Sequence, residues 1–382
     1  KSITHGSEKT NFHKKLKKKK FIITSIDQEH GVIDSGSFDD LFIKPRVNQK
    51  DLELCDAYFC WGNFDFLNLK KKFKKTSIFF QTGSPRVDLW KKKFNIVWQN
   101  NHVEHSNYIL FISNFSLCNN YYSFKEIISR KKKEGYYKRS PALEKEEVRY
   151  YKYQKKTMLK FIELIKKISK KFPNRIIYVR PHPTERKDFW SKNLKNLKNV
   201  LIKDKKDISN YIHKADVVIQ NGCTSAMESY IRQVPIINYL PINSKNQVFG
   251  EFIKKIGINL YNEKEILSLI KNKKYKILKK KQNLVDNRMA FLAKELSSEK
   301  IVKVWKKLGN ENKLTNTLFE KNNNIKIFFF LNIYEFFKSI ISTSILFLKN
   351  KLYLKKLFEH KSEKIEIKKI ENNIKNFVKI LN

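Results

Sequence analysis

Residues 215–231 read ADVVIQNGCTSAMESYI, and their pattern is the clearest indication of the fold class. Residues 217–219 are β-branched and apolar, which is typical of a parallel strand buried on both faces. The turn at 221–225 is built from small and polar residues, and a helix is predicted to begin near Ala226. A strand, a tight turn and a helix in this order form one unit of an α/β fold.

The same alternation of short apolar runs and helical segments continues along the chain and predicts two doubly wound, Rossmann-type domains. We place an N-terminal domain at 1–145, a nucleotide-binding domain at 146–310 and a helical tail at 311–382. A basic helix at about 146–171 marks the boundary between the two domains. The predicted strands are 21–26, 57–61, 77–81, 108–113, 176–180, 200–203, 216–220 and 235–240.

The composition limits the possible partners. The 80 Lys and Arg residues against 37 Asp and Glu give a net charge of +43, which attracts polyanions such as anionic lipid or phosphorylated sugars. Lysine is spread along the whole chain and no reader motif occurs, so specific nucleic-acid binding is not expected. The four cysteines form no C-x2-C pair, which argues against structural zinc and disulfides. With no signal peptide in view, we expect a cytoplasmic protein.

A histidine stands at the end of the fifth predicted strand, where the sequence reads YVRPHPTE from Tyr178. Prolines restrict the backbone on both sides of His182, and Arg180 precedes it. Ligands of open α/β sheets bind at the carboxyl ends of strands, so His182 could donate to a phosphate or protonate a leaving group. A turn histidine bonded to a neighbouring carbonyl is the alternative.

The turn after the seventh predicted strand has the composition of an anion site. Gly222 permits close backbone approach beside Asn221, and Thr224 and Ser225 supply hydroxyls and cap the helix. Free N–H groups at a helix start bind phosphate, and Glu228 could accept hydrogen bonds from a ribose diol. An ordinary capped strand–helix unit is the alternative.

Two N-terminal loops carry further candidates. The loop DQEHG holds Asp27 and Glu29 after the first strand, where a general base could lie, although a solvated turn has the same composition. The loop TGSPRVD follows the third strand, and its Arg86 could bind a carboxylate or phosphate as a fork, or pair with Asp88.

These segments together resemble the bacterial surface carbohydrate (surface polysaccharide) biosynthesis proteins. That family is similar to polysialyltransferases, capsular Kdo transferases and CDP-glycerol glycerophosphotransferases of GT-B type. The resemblance covers about residues 1–245. It is carried by RPHP at 180–183, NGCTS at 221–225 with Glu228, TGSPRVD at 82–88 and DQE at 27–29.

The resemblance implies a GT-B-like fold whose two Rossmann-type domains face a cleft, with a first β-α-β portion preceding Lys1. It implies that His182, Thr224 and Ser225 hold the phosphate of a cytidine nucleotide donor. Glu29 is the nearest match to the acidic motif that supplies the acceptor's base. The motif departs from the family pattern of two acids followed by glycine, because His30 intervenes.

We therefore predict a metal-independent glycosyltransferase that needs no cofactor. It would transfer a sugar from a nucleotide donor, with a CMP-linked sugar expected, to a surface polysaccharide or lipopolysaccharide acceptor. A CDP-glycerol-type glycerophosphotransferase and a UDP-sugar 2-epimerase-like enzyme are alternatives with the same site. A non-catalytic basic protein that binds membrane or nucleic acid is the alternative of another class.

The tail adds a membrane hypothesis. Residues 327–348 carry only two charges, Glu335 and Lys338, and their polar residues recur on one helical face. An amphipathic helix lying in the membrane interface fits this pattern better than a span, and flanking lysines favour anionic lipid. The protein would then be peripheral on the inner face of the cytoplasmic membrane. A helix packed on the protein's own core is the alternative.

Overall fold

The computed structural model of the chain describes residues 7–27, 43–74, 77–95, 103–204, 207–242, 251–275, 282–290 and 295–311. The chain divides into two compact units, residues 1–304 and 305–382. The predicted membrane segment at 327–348 lies outside the described residues. Within the described part, no helix is both long enough and apolar enough to cross a membrane.

Strands and helices alternate along the first unit. The described strands are β1 (Thr24–Ile26), β2 (Ala57–Cys60), β3 (Phe79–Gln81), β4 (Tyr108–Ile112), β5 (Ile177–Arg180), β6 (Val200–Ile202), β7 (Ala215–Gln220), β8 (Ile236–Tyr239) and β9 (Ile258–Leu260). The eight predicted strands are confirmed within a few residues at each end. The ninth, β9, was not predicted, because its three half-buried residues give too short a pattern.

The helices are numbered in the same way. They are α1 (Ser7–Lys18), α2 (Lys44–Arg46), α3 (Gln49–Glu53), α4 (Asn63–Lys72), α5 (Pro85–Asp88), α6 (Phe124–Lys133), α7 (Tyr136–Arg139), α8 (Pro141–Lys171), α9 (Lys187–Leu194), α10 (Ser209–Ile212), α11 (Ser225–Ile231), α12 (Glu251–Ile256), α13 (Glu263–Asn272), α14 (Gln282–Arg288) and α15 (Ser297–Glu311).

The strands form two parallel sheets. The first has the order β1-β2-β3, and the second has the order β6-β5-β4-β7-β8-β9. Counted within the second sheet alone, this order is 3-2-1-4-5-6, the order of doubly wound dinucleotide-binding sheets. The predicted α/β class with parallel sheets is therefore confirmed.

The second sheet corrects the predicted grouping of strands. The sequence interpretation assigns β4 to the N-terminal group, but β4 lies at the centre of the second sheet between β5 and β7. Its side chains are buried on both faces, with Ile109 and Phe111 in one core cluster and Leu110 and Ile112 in the other. Such a strand needs two neighbouring strands and two helical layers, which only the larger sheet supplies.

Helix α8 covers one face of the second sheet. Its apolar residues Met158, Phe161, Ile162, Ile165 and Ile168 recur at helical spacing and are buried in the same cluster as β4 and β5. Pro141 occupies the first turn, where its missing N–H costs no hydrogen bond. The predicted basic helix at 146–171 is confirmed, and it begins five residues earlier than predicted.

The C-terminal helices of the first unit return to the first sheet. Trp61, after β2, packs in one apolar cluster with Met227 of α11 and Val285 of α14. The carbonyl of Trp61 accepts a hydrogen bond from the Ala290 N–H over 2.7 Å. This shared cluster ties the first sheet to the helices of the second.

Candidate functional site

The strand order identifies one edge of the second sheet as the candidate site. β4 and β7 are adjacent, and their connections leave in opposite directions, to β5 on one side and to β8 on the other. In sheets of this kind ligands bind in the crevice outside the carboxyl ends of the strands at this switch point. The candidate segments therefore follow Ile112, Arg180 and Gln220, where β4, β5 and β7 end.

An asparagine pair joins the ends of β4 and β7. The Asn114 N–H donates to Oδ1 of Asn221 over 2.9 Å, and the Asn114 side chain donates to the Gly222 carbonyl over 2.8 Å. Asn221 is 1% exposed. Sequence reasoning selected Asn221 but gave Asn114 no role, although its position directly after a strand was a signal.

The turn after β7 differs from the predicted anion cup. Gly222 has φ +99°, the left-handed region that favours glycine. The N–H groups of Gly222 and Cys223 both donate to Oε1 of Gln220, over 2.5 and 2.8 Å. The prediction of free N–H groups is wrong for these two, because the strand's own glutamine side chain satisfies them.

The hydroxyls of the turn also differ from the prediction. Thr224 is the residue before α11, but its side chain makes no capping hydrogen bond. The predicted capping role of Thr224 is therefore wrong, because its backbone is already helical, with φ −57° and ψ −23°. Ser225 Oγ lies 3.2 Å from Cys223 Sγ, at the start of α11.

Glu228 is engaged inside the protein. Its Oε1 accepts from Nε of Arg232 over 2.9 Å, and the two side chains are 2% and 1% exposed. Burial raises the pKa of Glu228, and the charge of Arg232 opposes that effect. A carboxylate so enclosed is not open to the predicted ribose diol.

Arg180 is also held by internal contacts. Its Nη1 donates to the Lys203 carbonyl over 3.2 Å, and its guanidinium lies 5.9 Å from the ring centroid of Tyr211. Strand alternation puts Arg180 on the face of Tyr178, opposite the face that α8 covers. The predicted phosphate contact of Arg180 would require it to leave these partners.

His182 stands in the turn beyond β5 and is partly exposed. Its Nδ1 lies 2.8 Å from Oγ1 of Thr184 and accepts from the Thr184 N–H over 3.3 Å. A neutral imidazole whose Nδ1 accepts carries its proton on Nε2. The local turn thus selects the tautomer that can donate a hydrogen bond from Nε2.

Glu185 closes the same turn, and sequence reasoning gave it no role. Its N–H donates to the His182 carbonyl over 2.8 Å, and its carboxylate accepts from the His182 N–H over 3.3 Å. The side chain is fully buried, and this burial raises the pKa of Glu185 while its hydrogen bonds oppose the rise. Its place three residues after His182 was a sequence signal for a turn-closing side chain.

Helix α8 covers the loop after β4. Gln154 donates from Nε2 to the Asn114 carbonyl over 2.7 Å and accepts from the Leu117 N–H over 3.0 Å. One turn earlier on the helix, burial raises the pKa of Tyr150 to about 12, and Cys223 contributes to this rise. The two hydrogen bonds of Gln154 fasten α8 to the loop after β4. No pattern in the sequence indicates that α8 and this loop are close.

The first sheet holds the remaining candidates. Asp27 pairs with Arg46 over 2.9 Å, and its carbonyl accepts from the Trp61 indole over 2.7 Å. Arg86 is exposed on α5, and the neighbouring Asp88 pairs with Lys91. These candidates follow strands of the other sheet, so strand order alone does not bring them to His182.

The predicted base Glu29 lies outside the described residues. Its assignment therefore stays a prediction. Among the residues that the structure describes, no group of three or more His, Cys, Asp or Glu is placed to hold a metal ion.

No protein-family model matches the chain, and no curated protein matches it. Among solved structures, the UDP-GlcNAc 2-epimerase from Methanocaldococcus jannaschii is similar at 16% identity over 78% of this chain and 73% of that chain, with a TM-score of 0.47. The wall teichoic acid polymerase TagF is similar at 13% identity over 76% of this chain and 69% of that chain, with a TM-score of 0.46. Both similarities are too distant to assign an activity.

Proposed function

We propose that the protein is a GT-B-type transferase of surface carbohydrate biosynthesis, which transfers a sugar from a nucleotide donor to a glycan or lipid-linked acceptor. A CMP-linked sugar is the proposed donor and a surface polysaccharide or lipopolysaccharide the proposed acceptor. The motif resemblance supports the family, and the doubly wound order of the second sheet supports a nucleotide site at its switch point.

One observation carries the proposal. The ends of three adjacent strands are joined by hydrogen bonds at the switch point, with His182 after β5, Asn114 after β4 and Asn221 after β7. Glu185 links the His182 turn to β4, because Ser113 Oγ also donates to its Oε1 over 2.9 Å. A donor phosphate at this edge would meet the Nε2–H of His182 beside fixed amide groups.

The proposed reaction follows from these groups. An acceptor hydroxyl attacks the anomeric carbon of the donor sugar, and the bond from that carbon to the phosphate oxygen breaks. His182 donates from Nε2 to the departing phosphate, which stabilises the negative charge that develops on it. The hydroxyl proton passes to a carboxylate base, for which Glu29 is the candidate. We propose that this reaction needs no metal ion.

A nucleotide panel tests the proposal. We expect CMP or CDP to raise the Tm of the protein. At a nucleotide concentration of 100 times the Kd, binding should add about 2.7 kcal/mol to the free energy of unfolding. Inorganic phosphate is the control for a site that binds any anion. His182→Ala should reduce the nucleotide effect, whereas the exposed control Lys160→Ala should preserve it.

Different outcomes separate the rival activities. Stabilisation by UMP and UDP alone would favour an epimerase-like enzyme, and stabilisation by CDP-glycerol above CMP would favour a glycerophosphotransferase. No response to any cytidine or uridine nucleotide would contradict the proposed donor site. Salt-sensitive binding to nucleic acid without a nucleotide response would indicate the non-catalytic alternative.

We also propose that the protein is peripheral at an anionic membrane surface. The net charge of +43 and the amphipathic pattern of 327–348 support this proposal. Deleting residues 311–382 should release the protein from phosphatidylglycerol vesicles and leave nucleotide binding intact. Unchanged vesicle binding with a lowered Tm would instead indicate that the tail packs on the protein's core.

A further inference from the structure

The buried carboxylate of Glu185 lies between two loops of the candidate site. It accepts five hydrogen bonds, all from uncharged donors on three segments of the chain. The donors are the Ser113 hydroxyl (2.9 Å), the Phe115 N–H (2.8 Å), the His182 N–H (3.3 Å), the Asn119 amide (3.4 Å) and the Trp190 indole (2.9 Å).

The backbone around Glu185 is tied to the same loop. Glu185 and Asn120 form an isolated antiparallel bridge, and the Arg186 N–H donates to the Asn119 carbonyl over 2.8 Å. The segment after β5 is therefore bonded to the loop after β4 by backbone contacts as well as by the Glu185 carboxylate. Movement of one segment would have to move the other.

A continuous set of contacts runs from His182 to the asparagine pair. Oε1 of Glu185 receives the N–H groups of both His182 and Phe115. Phe115 follows Asn114, whose side chain and N–H hold Gly222 and Asn221. Glu185 is thus the common partner that sets the distance between the histidine turn and the turn after β7.

Only the ionised carboxylate of Glu185 can accept hydrogen bonds from all five donors. Two carboxylate oxygens can accept all five bonds, whereas a neutral amide offers one acceptor and turns an NH2 group toward donors. Leaving buried donors unsatisfied is costly. Glu185→Gln therefore changes hydrogen-bonding capacity with almost no change of shape.

We propose that Glu185 is a positioning residue, which holds the ring of His182 in register with the Asn114–Asn221 pair through the His182 backbone. It does not touch the donor. This role rests on the proposed nucleotide function. Its effect on the tautomer of the His182 ring can nevertheless be measured without any nucleotide.

The first experiment measures that ring directly. In protein labelled with 15N-histidine, the His182 signals are identified by their loss in His182→Ala. Wild type should show Nε2 protonated and Nδ1 accepting from Thr184. Glu185→Gln weakens the turn that brings the Thr184 N–H to the ring, and should therefore shift the ring toward a mixture of tautomers. Glu163→Gln removes an exposed carboxylate and is the matched control. Unchanged His182 signals in folded Glu185→Gln would overturn the proposal.

The second experiment measures coupling with CMP and UDP as probes. Glu185→Gln should weaken nucleotide binding by the same fold-change as His182→Ala, and the double variant should be no weaker than His182→Ala alone. Additive losses would show that Glu185 acts independently of His182 and would overturn the proposal. Should Glu185→Gln fail to fold, Ser113→Ala removes one donor to the same oxygen and replaces it in both experiments.

The two hypotheses fail in different ways. If wild type binds neither CMP nor UDP, the proposed function is contradicted, and the tautomer of His182 still decides the role of Glu185. If wild type binds a nucleotide and Glu185→Gln leaves both binding and ring unchanged, the function stands and the positioning role is rejected.

Discussion

Arg232 forms a buried ion pair with Glu228, and the same guanidinium joins two parts of the first unit. Its Nη1 donates to the Asn95 side chain over 2.7 Å, and its Nη2 donates to the Leu89 carbonyl over 3.1 Å. Leu89 and Asn95 follow the first sheet, whereas Arg232 ends the helix after β7. The pair therefore fixes the first sheet's last segment against the second sheet.

We expect Arg232→Ala to lower the free energy of unfolding by about 3–5 kcal/mol, because it leaves the Glu228 carboxylate buried without its cation. Urea unfolding measures this change. Arg149→Ala is the control, since Arg149 pairs with Glu146 at the surface and such pairs contribute about 0.2–1 kcal/mol. Equal losses in the two variants would contradict the structural role of the buried pair.

Asp65 predicts a specific pH dependence. Burial raises its pKa from 3.8 to about 7, against the opposing hydrogen bonds from the N–H groups of Gly62 and Trp61. Between pH of about 4 and 7 the folded protein holds a proton that the unfolded chain has lost. The contribution of Asp65 to stability therefore falls as the pH rises through this window, by at most about 4 kcal/mol.

Asp65→Asn removes this titration. Relative to the variant, wild type should lose free energy of unfolding as the pH rises from about 4 to 7. Urea unfolding at a series of pH values measures the two slopes. Identical slopes would show that Asp65 keeps an ordinary pKa in the folded protein.

Gly62 tests the packing between the first sheet and α14. A Cβ at this position would lie 2.4 Å from the Arg288 carbonyl carbon and 2.5 Å from the Asn287 carbonyl oxygen, which are backbone atoms. The extended backbone of Gly62 suits any residue, so the effect would be steric alone. Gly62→Ala should destabilise the protein by about 1–3 kcal/mol.

Gly309→Ala is the matched control for Gly62→Ala. A Cβ there meets no described atom within 4 Å, and the residue lies in α15. Alanine in place of a helical glycine should stabilise by at most about 1 kcal/mol. Thermal unfolding of both variants shows whether each substitution raises or lowers the stability. If Gly62→Ala left the stability unchanged, the close approach of α14 to Gly62 would be contradicted.

His182→Ala should lower turnover of a CMP-linked donor by about 10²–10³-fold, as expected when a positioned hydrogen-bond donor to a developing anion is removed. The fold should remain intact, because the ring is partly exposed and bonds within its own turn. Release of CMP and the Tm, measured on the same preparation, separate the two effects. Unchanged specific activity with a lowered Tm would identify His182 as a structural turn residue.

Local sequence was enough to find eight of the nine described strands and the long helix α8. The apolar, β-branched run at 217–219 is buried on both faces of the second sheet, with Val217 and Ile219 on one side and Val218 on the other. Periodicity predicts such elements because burial on a strand or helix face repeats along the chain. The same reasoning found His182 and Asn221, since chain order alone places them at strand ends.

Tertiary structure decided which strands are neighbours and which polar groups meet. The sequence carries no local signal that β4 pairs with β5 and β7, because parallel strands are joined by long crossovers and their pairing is not local. Glu228 and Arg180 looked like ligand groups, yet both find partners inside the first unit that only folding supplies. Five donors from three segments of the chain converge on the carboxylate of Glu185, which no local pattern shows. The sequence shows which side chains are polar. Their hydrogen-bond partners depend on distances between segments, and only the folded chain defines those distances.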